Sequence, residues 1–325
     1  MLAIFMAGIF PLASAQSLTQ TTLKIDVQNA VEYQGDVDPS QFATKPGITP
    51  SNVPKDFYVA TIIADIVAVN GQPAKGTYVG RSSSVILSPA PTGAPNSEAI
   101  ADVTRAAIRD HVFEILQADG TPVGSFISIG LSGGPAPPGM PATERANWAI
   151  VGGTGAFLGA RGTIGGTGGA GRAASMAEDP ANRRINGGTS FSFYIHAIAA
   201  EAPQVTQTAN GPAITHPSDF SLVTSSKPAA AGEILSVFAT GLGPTVPEVD
   251  SGLPFPSGPL ANVNSPVNIT VNGETAEVLA AVGYPGSFDG YQVNFRVPSD
   301  APKGVVTVQI SAAWIPGPAV ILNIQ

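Results

Sequence analysis

The chain has 325 residues, a formal net charge of −8, 12% charged and 43% hydrophobic side chains. That much apolar material excludes a chain disordered throughout, and the negative charge argues against a nucleic-acid backbone as partner. The complete absence of cysteine excludes disulfides, thiolate nucleophiles and cysteine-based zinc sites. Residues 1–15, MLAIFMAGIFPLASA, are uncharged and apolar and end in Ala13-Ser14-Ala15 ahead of Gln16. They are expected to be a secretory signal peptide. Beyond them no apolar run approaches the ~20 residues of a membrane helix, so an exported protein without a membrane span is expected.

From there the dominant signal is alternation with period two, the mark of a strand with one buried face. Leu23, Ile25 and Val27 alternate with polar residues. Residues 58–69 are apolar on both faces, as in a strand covered on both sides. Residues 98–108 are Ala-rich and read as helix or strand. Residues 112–117 and 123–129 are joined across Asp119-Gly120, a tight-hairpin dipeptide. A Gly-rich stretch, 165–188, carries Arg183-Arg184 and is expected as a long mobile loop. Phe191, Phe193 and Ile195 form another alternating set. Residues 200–217 lack a pattern and read as a linker. After it come strands at 267–271 and 276–280, joined by Asn272-Gly273, then alternating runs at 291–297, 306–310 and 320–324. Cationic side chains are sparse past residue 206, where only Lys227, Arg296 and Lys303 occur, which suits a packing or adhesion module.

Several motifs dissolve on inspection. Val151–Gly159 has the glycines of a dinucleotide loop, but no helix can follow in the glycine-rich sequence after it, and that chemistry needs a helix N-terminus. Gly130-Leu131-Ser132-Gly133-Gly134 has the letters of a nucleophile elbow, but Pro135, Pro137 and Pro138 forbid the helix that the elbow requires. Asp110, His111 and Glu114 could supply metal ligands, but without the spacing of a built site. Asp36/Asp38 and Glu248/Asp250 are too sparse for a calcium loop. Arg161 falls in a strand-like stretch; it either stands exposed on the outer face or, inside a barrel, needs a carboxylate such as Asp65 or Glu114.

Two stretches carry family likenesses. Trp148-Ala-Ile-Val-Gly-Gly-Thr-Gly-Ala-Phe-Leu-Gly-Ala-Arg-Gly162 resembles the signature of dirigent proteins and allene oxide cyclases. The resemblance implies a small antiparallel β-barrel with an apolar cavity, in which Gly152–Gly155 forms a strand-connecting turn. Ala231–Thr245, Gly283–Gly286, Gly290–Pro298 and Ala301–Gly304, in that order, resemble the C-terminal domain of secreted proteins of Acidobacteria (Solibacter type). That likeness implies an Ig-like β-sandwich of the IPT/TIG kind, a family without an established activity.

The expectation is therefore an all-β protein: signal peptide 1–15, an antiparallel β-barrel over 16–199, linker 200–217 and an Ig-like sandwich over 218–325. The barrel is expected to hold an apolar small molecule against Phe113, Phe157, Phe191 and Phe193, with Arg161 as polar anchor. The C-terminal module is expected to serve attachment to a cell-surface or extracellular protein. No catalytic residue, cofactor, metal or nucleic acid is assigned. A cyclase- or dirigent-type enzyme and a purely structural protein remain as alternatives; a buried carboxylate or tyrosine facing a cavity would favour the enzyme.

Overall fold

The computed structural model describes residues 20–34, 55–87, 106–132, 147–185, 187–198, 202–250 and 252–325. The expected signal peptide and most of 98–108 lie outside them; residues 106–108 open a strand. The protein is all-β, with a closed eight-strand antiparallel barrel and a further curled antiparallel sheet.

The barrel comprises β1 (Gln20–Gln34), β2 (Lys55–Val69), β3 (Gln72–Leu87), β4 (Ala106–Gln117), β5 (Pro122–Ser132), β6 (Asn147–Gly155), β7 (Arg161–Gly166) and, after a short strand β8 (Ala173–Ser175), β9 (Thr189–Ile198). Neighbours pair in the order β2-β3-β4-β5-β6-β7-β9-β1, and β1 returns to β2 to close the ring. Closure leaves no free sheet edge. Two hairpins close on dipeptides with positive φ, Asn70-Gly71 and, in the second sheet, Asn272-Gly273, as tight two-residue turns demand.

Inward residues follow the alternation. Leu23, Ile25 and Val27 on β1, Ile62, Ala64 and Ile66 on β2, Phe113 and Ile115 on β4, and Phe193, Ile195 and Ala197 on β9 are all buried in one core. Each large apolar side chain so buried contributes about 1.5–3 kcal/mol. The parity of β1 changes once. Between Gln28 and Val31 the pairing with β2 slips by a residue, and Asn29 takes φ 55°, a β-bulge. Beyond it Glu32 and Gln34 stand opposite the inward Ile62 and Ala60. Val31 and Tyr33 turn outward and are nevertheless buried.

The stretch expected as a mobile loop, 165–188, is built into the fold. Its start belongs to β7, β8 runs parallel to the end of β1, and a 3-10 turn follows at Pro180–Arg184. Asp65, on the outer face of β2, fastens it. The carboxylate accepts from Asn29 Nδ2 at 2.8 Å, from Arg184 Nη2 at 2.9 Å and from Arg183 Nη2. Arg172 closes on Glu178 with two bonds of 2.7 and 2.8 Å.

The glycines of the expected turn at 152–155 are instead the end of strand β6, paired with β5; the turn follows at 156–160. Glycine is required for close approach. A Cβ on Gly153 would sit 2.3 Å from the Phe157 carbonyl oxygen and 2.7 Å from that of Ser125.

The second sheet contains β10 (Gln204–Val205), β13 (Ile214–Thr215), β14 (Ile234–Thr240), β15 (Thr245–Val246), β16 (Asn262–Val263), β17 (Val267–Val271), β18 (Glu274–Gly283), β19 (Tyr291–Arg296), β20 (Gly304–Ala312), β21 (Ile315–Pro316) and β22 (Val320–Ile324); β11 (Gln207–Thr208) and β12 (Gly211–Pro212) form a separate pair. Residues within the span read as linker thus join the sheet: β10 and β13 both pair with β14. Their strands are two residues long, too short for alternation to register.

The two halves touch at the barrel end where β1 begins. The turn between β20 and β21 places Ala313, Trp314 and Ile315 in the barrel's own core cluster, and Trp314 Nε1 donates to Gln72 Oε1 at 3.0 Å. Gln117 Nε2 donates to the Asn264 carbonyl at 2.6 Å, and Asn264 Nδ2 returns a bond to the carbonyl of Pro122.

Candidate functional site in the barrel interior

Away from the second sheet, the barrel's lining changes from aliphatic to aromatic and then to polar. Tyr78, Phe113, Phe191 and Phe193 form the aromatic layer. Ring centroids lie 4.6 Å apart for Tyr78 and Phe193, 4.8 Å for Phe113 and Phe193 and 4.9 Å for Phe191 and Phe193, distances at which rings attract. Three of the expected ligand-contacting residues, Phe113, Phe191 and Phe193, are thus brought together, packed on one another as a floor.

Above this floor the inward positions of adjacent strands pair as Gly80, His111, Ser128 and Ile150, and then as Ser82, Arg109, Gly130 and Trp148. Glu32 and Gln34 face them from β1, the Gln34 amide donating to Glu32 Oε1 at 2.9 Å. His111 is 1% exposed, Ser128 0% and Trp148 6%. The His111 and Trp148 rings lie 4.3 Å apart.

The Tyr78 hydroxyl lies 2.8 Å from His111 Nδ1. Burial, seconded by the charge of Arg109, pushes His111 down to about 3, so the imidazole is neutral at neutral pH. Burial likewise pushes the Tyr78 phenol above its ordinary range. With the hydroxyl donating to Nδ1, His111 carries its proton on Nε2, and the phenol proton has its acceptor. The opposite tautomer would take this acceptor away from the phenol proton, while Nε2 is without a partner in either case.

Four polar atoms of this wall are buried without a hydrogen-bond partner: Arg109 Nε, His111 Nε2, Ser128 Oγ and Trp148 Nε1. All can donate, and they lie on three consecutive strands. An unpaired buried polar group costs about 1–3 kcal/mol, and an acceptor-rich group placed here would satisfy several of the four at once. Gly130 stands between Arg109 and Trp148 and offers no side chain to fill the gap.

The other two expected site residues lie elsewhere. Phe157 stacks on Phe126, centroids 4.1 Å apart, beside a pocket of about 560 Å³ between the turn at 156–160 and the second sheet, where Leu242, Phe255 and Tyr291 complete the wall. Arg161 is exposed. Ile164 carries the buried side chain of β7, ahead of two buried glycines, so period two turns Arg161 outward. Neither carboxylate expected to pair with it is available: Asp65 is occupied by Arg183 and Arg184, and Glu114 is exposed. Alternation also separates the would-be metal ligands. His111 points inward, while Asp110 points outward to Arg81 at 3.1 Å. Among the described residues no three His, Asp or Glu side chains converge.

Sequence reasoning singled out His111 but missed Glu32, Tyr78, Arg109 and Ser128. Comparison of the chain with protein families, with characterised proteins and with solved structures finds no match.

Proposed function

We propose that this is a binding protein whose barrel holds a small, largely apolar molecule, its body on the aromatic floor and its polar group against the wall of β4, β5 and β6. The observation that carries this reading is the set of four buried, unpartnered polar atoms on that wall. Ligand pockets combine an apolar lining with a few placed polar groups. In this reading the protein is exported, the barrel is of the dirigent and allene oxide cyclase kind, and the second sheet is an Ig-like module of the IPT/TIG kind that attaches the protein to a surface partner.

A second reading, a cyclase-type enzyme, draws on the buried Tyr78–His111 pair with the Glu32 carboxylate across the lumen. These groups could hold and move a proton over a bound substrate.

The test is binding of the neutral fluorescent probe N-phenyl-1-naphthylamine to the full chain. Saturable binding is expected, lost in Ser128→Leu with the circular dichroism unchanged, and kept in Phe288→Ala, which alters a further wall residue of the pocket between the two halves. Loss in Phe288→Ala with retention in Ser128→Leu would move the site out of the barrel and overturn the reading. Chemical conversion of a bound ligand, abolished by Tyr78→Phe, would decide for the enzyme.

A further inference from the structure

Resting on the ligand-binding reading of the barrel, we infer that the ligand is an organic acid, its carboxylate paired with Arg109 and hydrogen-bonded by Trp148 Nε1, Ser128 Oγ and His111 Nε2. The argument is one of charge and of donor count. Arg109 faces the lumen, and its Nε is buried without a partner. The side chain as a whole is half-buried, and a cation drawn partly out of water is stabilised by a counter-charge. The adjacent Asp110 is not that counter-charge, because it points outward to Arg81. Glu32 stands three strands away, on β1, where its Oε1 accepts from Gln34. No ion pair joins Arg109 to a carboxylate among the described residues.

The donors then select the ligand's chemistry. Guanidinium and indole nitrogens only donate, and a hydroxyl can donate. With Tyr78 donating to Nδ1, His111 Nε2–H makes a fourth donor. An amine or an ammonium would find no acceptor on this wall, and an alcohol would satisfy one or two of the four groups. A carboxylate offers about four lone-pair sites to match four donors, and charge-assisted bonds are about twice as strong as neutral ones. His111 stays neutral, so Arg109 alone supplies the charge and His111 supplies direction.

The experiment is displacement of bound N-phenyl-1-naphthylamine from the full chain, at neutral pH, by 4-phenylbutanoate and by 4-phenylbutanol. The acid is expected to compete ~10-fold better than the alcohol. Arg109→Gln, folded by circular dichroism, is expected to reduce that preference to about 2-fold or less, and the exposed Arg161→Gln to leave it intact. Equal competition in the unaltered chain, or a preference that survives Arg109→Gln, overturns the inference while the binding reading stands. Failure of the folded chain to bind the probe overturns both.

Discussion

The Tyr78 hydroxyl meets His111 Nδ1 at 2.8 Å because residue 80, on the same strand face, is glycine. A Cβ there would lie 2.3 Å from the hydroxyl oxygen and 3.2 Å from Nδ1. Gly80→Ala is therefore expected to push the two groups apart and to destabilise the barrel by about 1–3 kcal/mol, the range for overpacking. Tyr78→Phe, which leaves Nδ1 buried and unpaired, should cost a similar ~1–3 kcal/mol. Urea denaturation measures both. If the two losses add fully in the double variant, the hydrogen bond is not what Gly80 protects.

Acid should weaken the protein in a way traceable to His111. The folded state keeps this imidazole neutral down to about pH 3, whereas the unfolded chain takes up the proton below 6.5. The unfolded state thus binds more protons across that window, and stability falls on acidification by up to about 1.4 kcal/mol per pH unit. His111→Phe should remove this part of the slope. At the alkaline end the raised Tyr78 phenol acts in the opposite sense: above pH 10 the unfolded chain releases its proton first, and stability falls as pH rises. Denaturation midpoints across pH, compared between the two chains, test the assignment.

The segment 167–185 should be held down mainly by Asp65. Burial opposes ionisation of that carboxyl, but hydrogen bonds from Asn29 and Arg183 and the charges of Arg183 and Arg184 outweigh it and hold the group below the usual range. Its contribution is present above the unfolded value of 3.8 and is lost as pH falls below it. Asp65→Asn should cost about 1–3 kcal/mol and raise the rate of proteolytic cleavage between residues 167 and 185. An unchanged cleavage pattern would show that β8 alone holds the segment.

The barrel and the second sheet should unfold as one unit. Trp314 is 8% exposed, within the barrel's core cluster, on a turn whose residues Ala313 and Trp314 have φ 49° and 62°. A non-glycine residue there is strained, and packing against the barrel compensates. Trp314→Ala should cost about 3–5 kcal/mol and split a single thermal transition into two. A transition that is already double in the unaltered chain contradicts the coupling.

The strands with alternating apolar residues are legible: β1 as far as Val27, β4, β9 and β19 place their buried residues as period two directs. Phe113 and Phe193 could be assigned to one face of their strands, though which face was inside came only with the closed ring. The polar half of the interior was hidden for two reasons. β3 lines the lumen with Gly76, Tyr78, Gly80 and Ser82, so no apolar rhythm marks it. Glu32 becomes an inward residue only through the shift at Asn29, which no composition rule reveals. The arginine facing the lumen is Arg109 and not Arg161; it directly follows residues 98–108, whose Ala-rich composition suits helix and strand alike. Asn70-Gly71 is as plain a turn dipeptide as Asn272-Gly273, but the apolar run before it masks where the strand ends.

The single extra residue at Asn29 has a consequence for how such a barrel could change its chemistry. A chain shorter by that one residue would carry Val31 and Tyr33 into the lumen and turn Glu32 and Gln34 out beneath the segment that Asp65 fastens. The lumen would lose its acid and gain an apolar β1 wall facing the donors of β4, β5 and β6, with no side chain substituted. The same event would set a carboxylate beside Glu178 and Asp179 outside. One codon gained or lost at this point thus exchanges two interiors, whereas point substitution would need several coordinated steps.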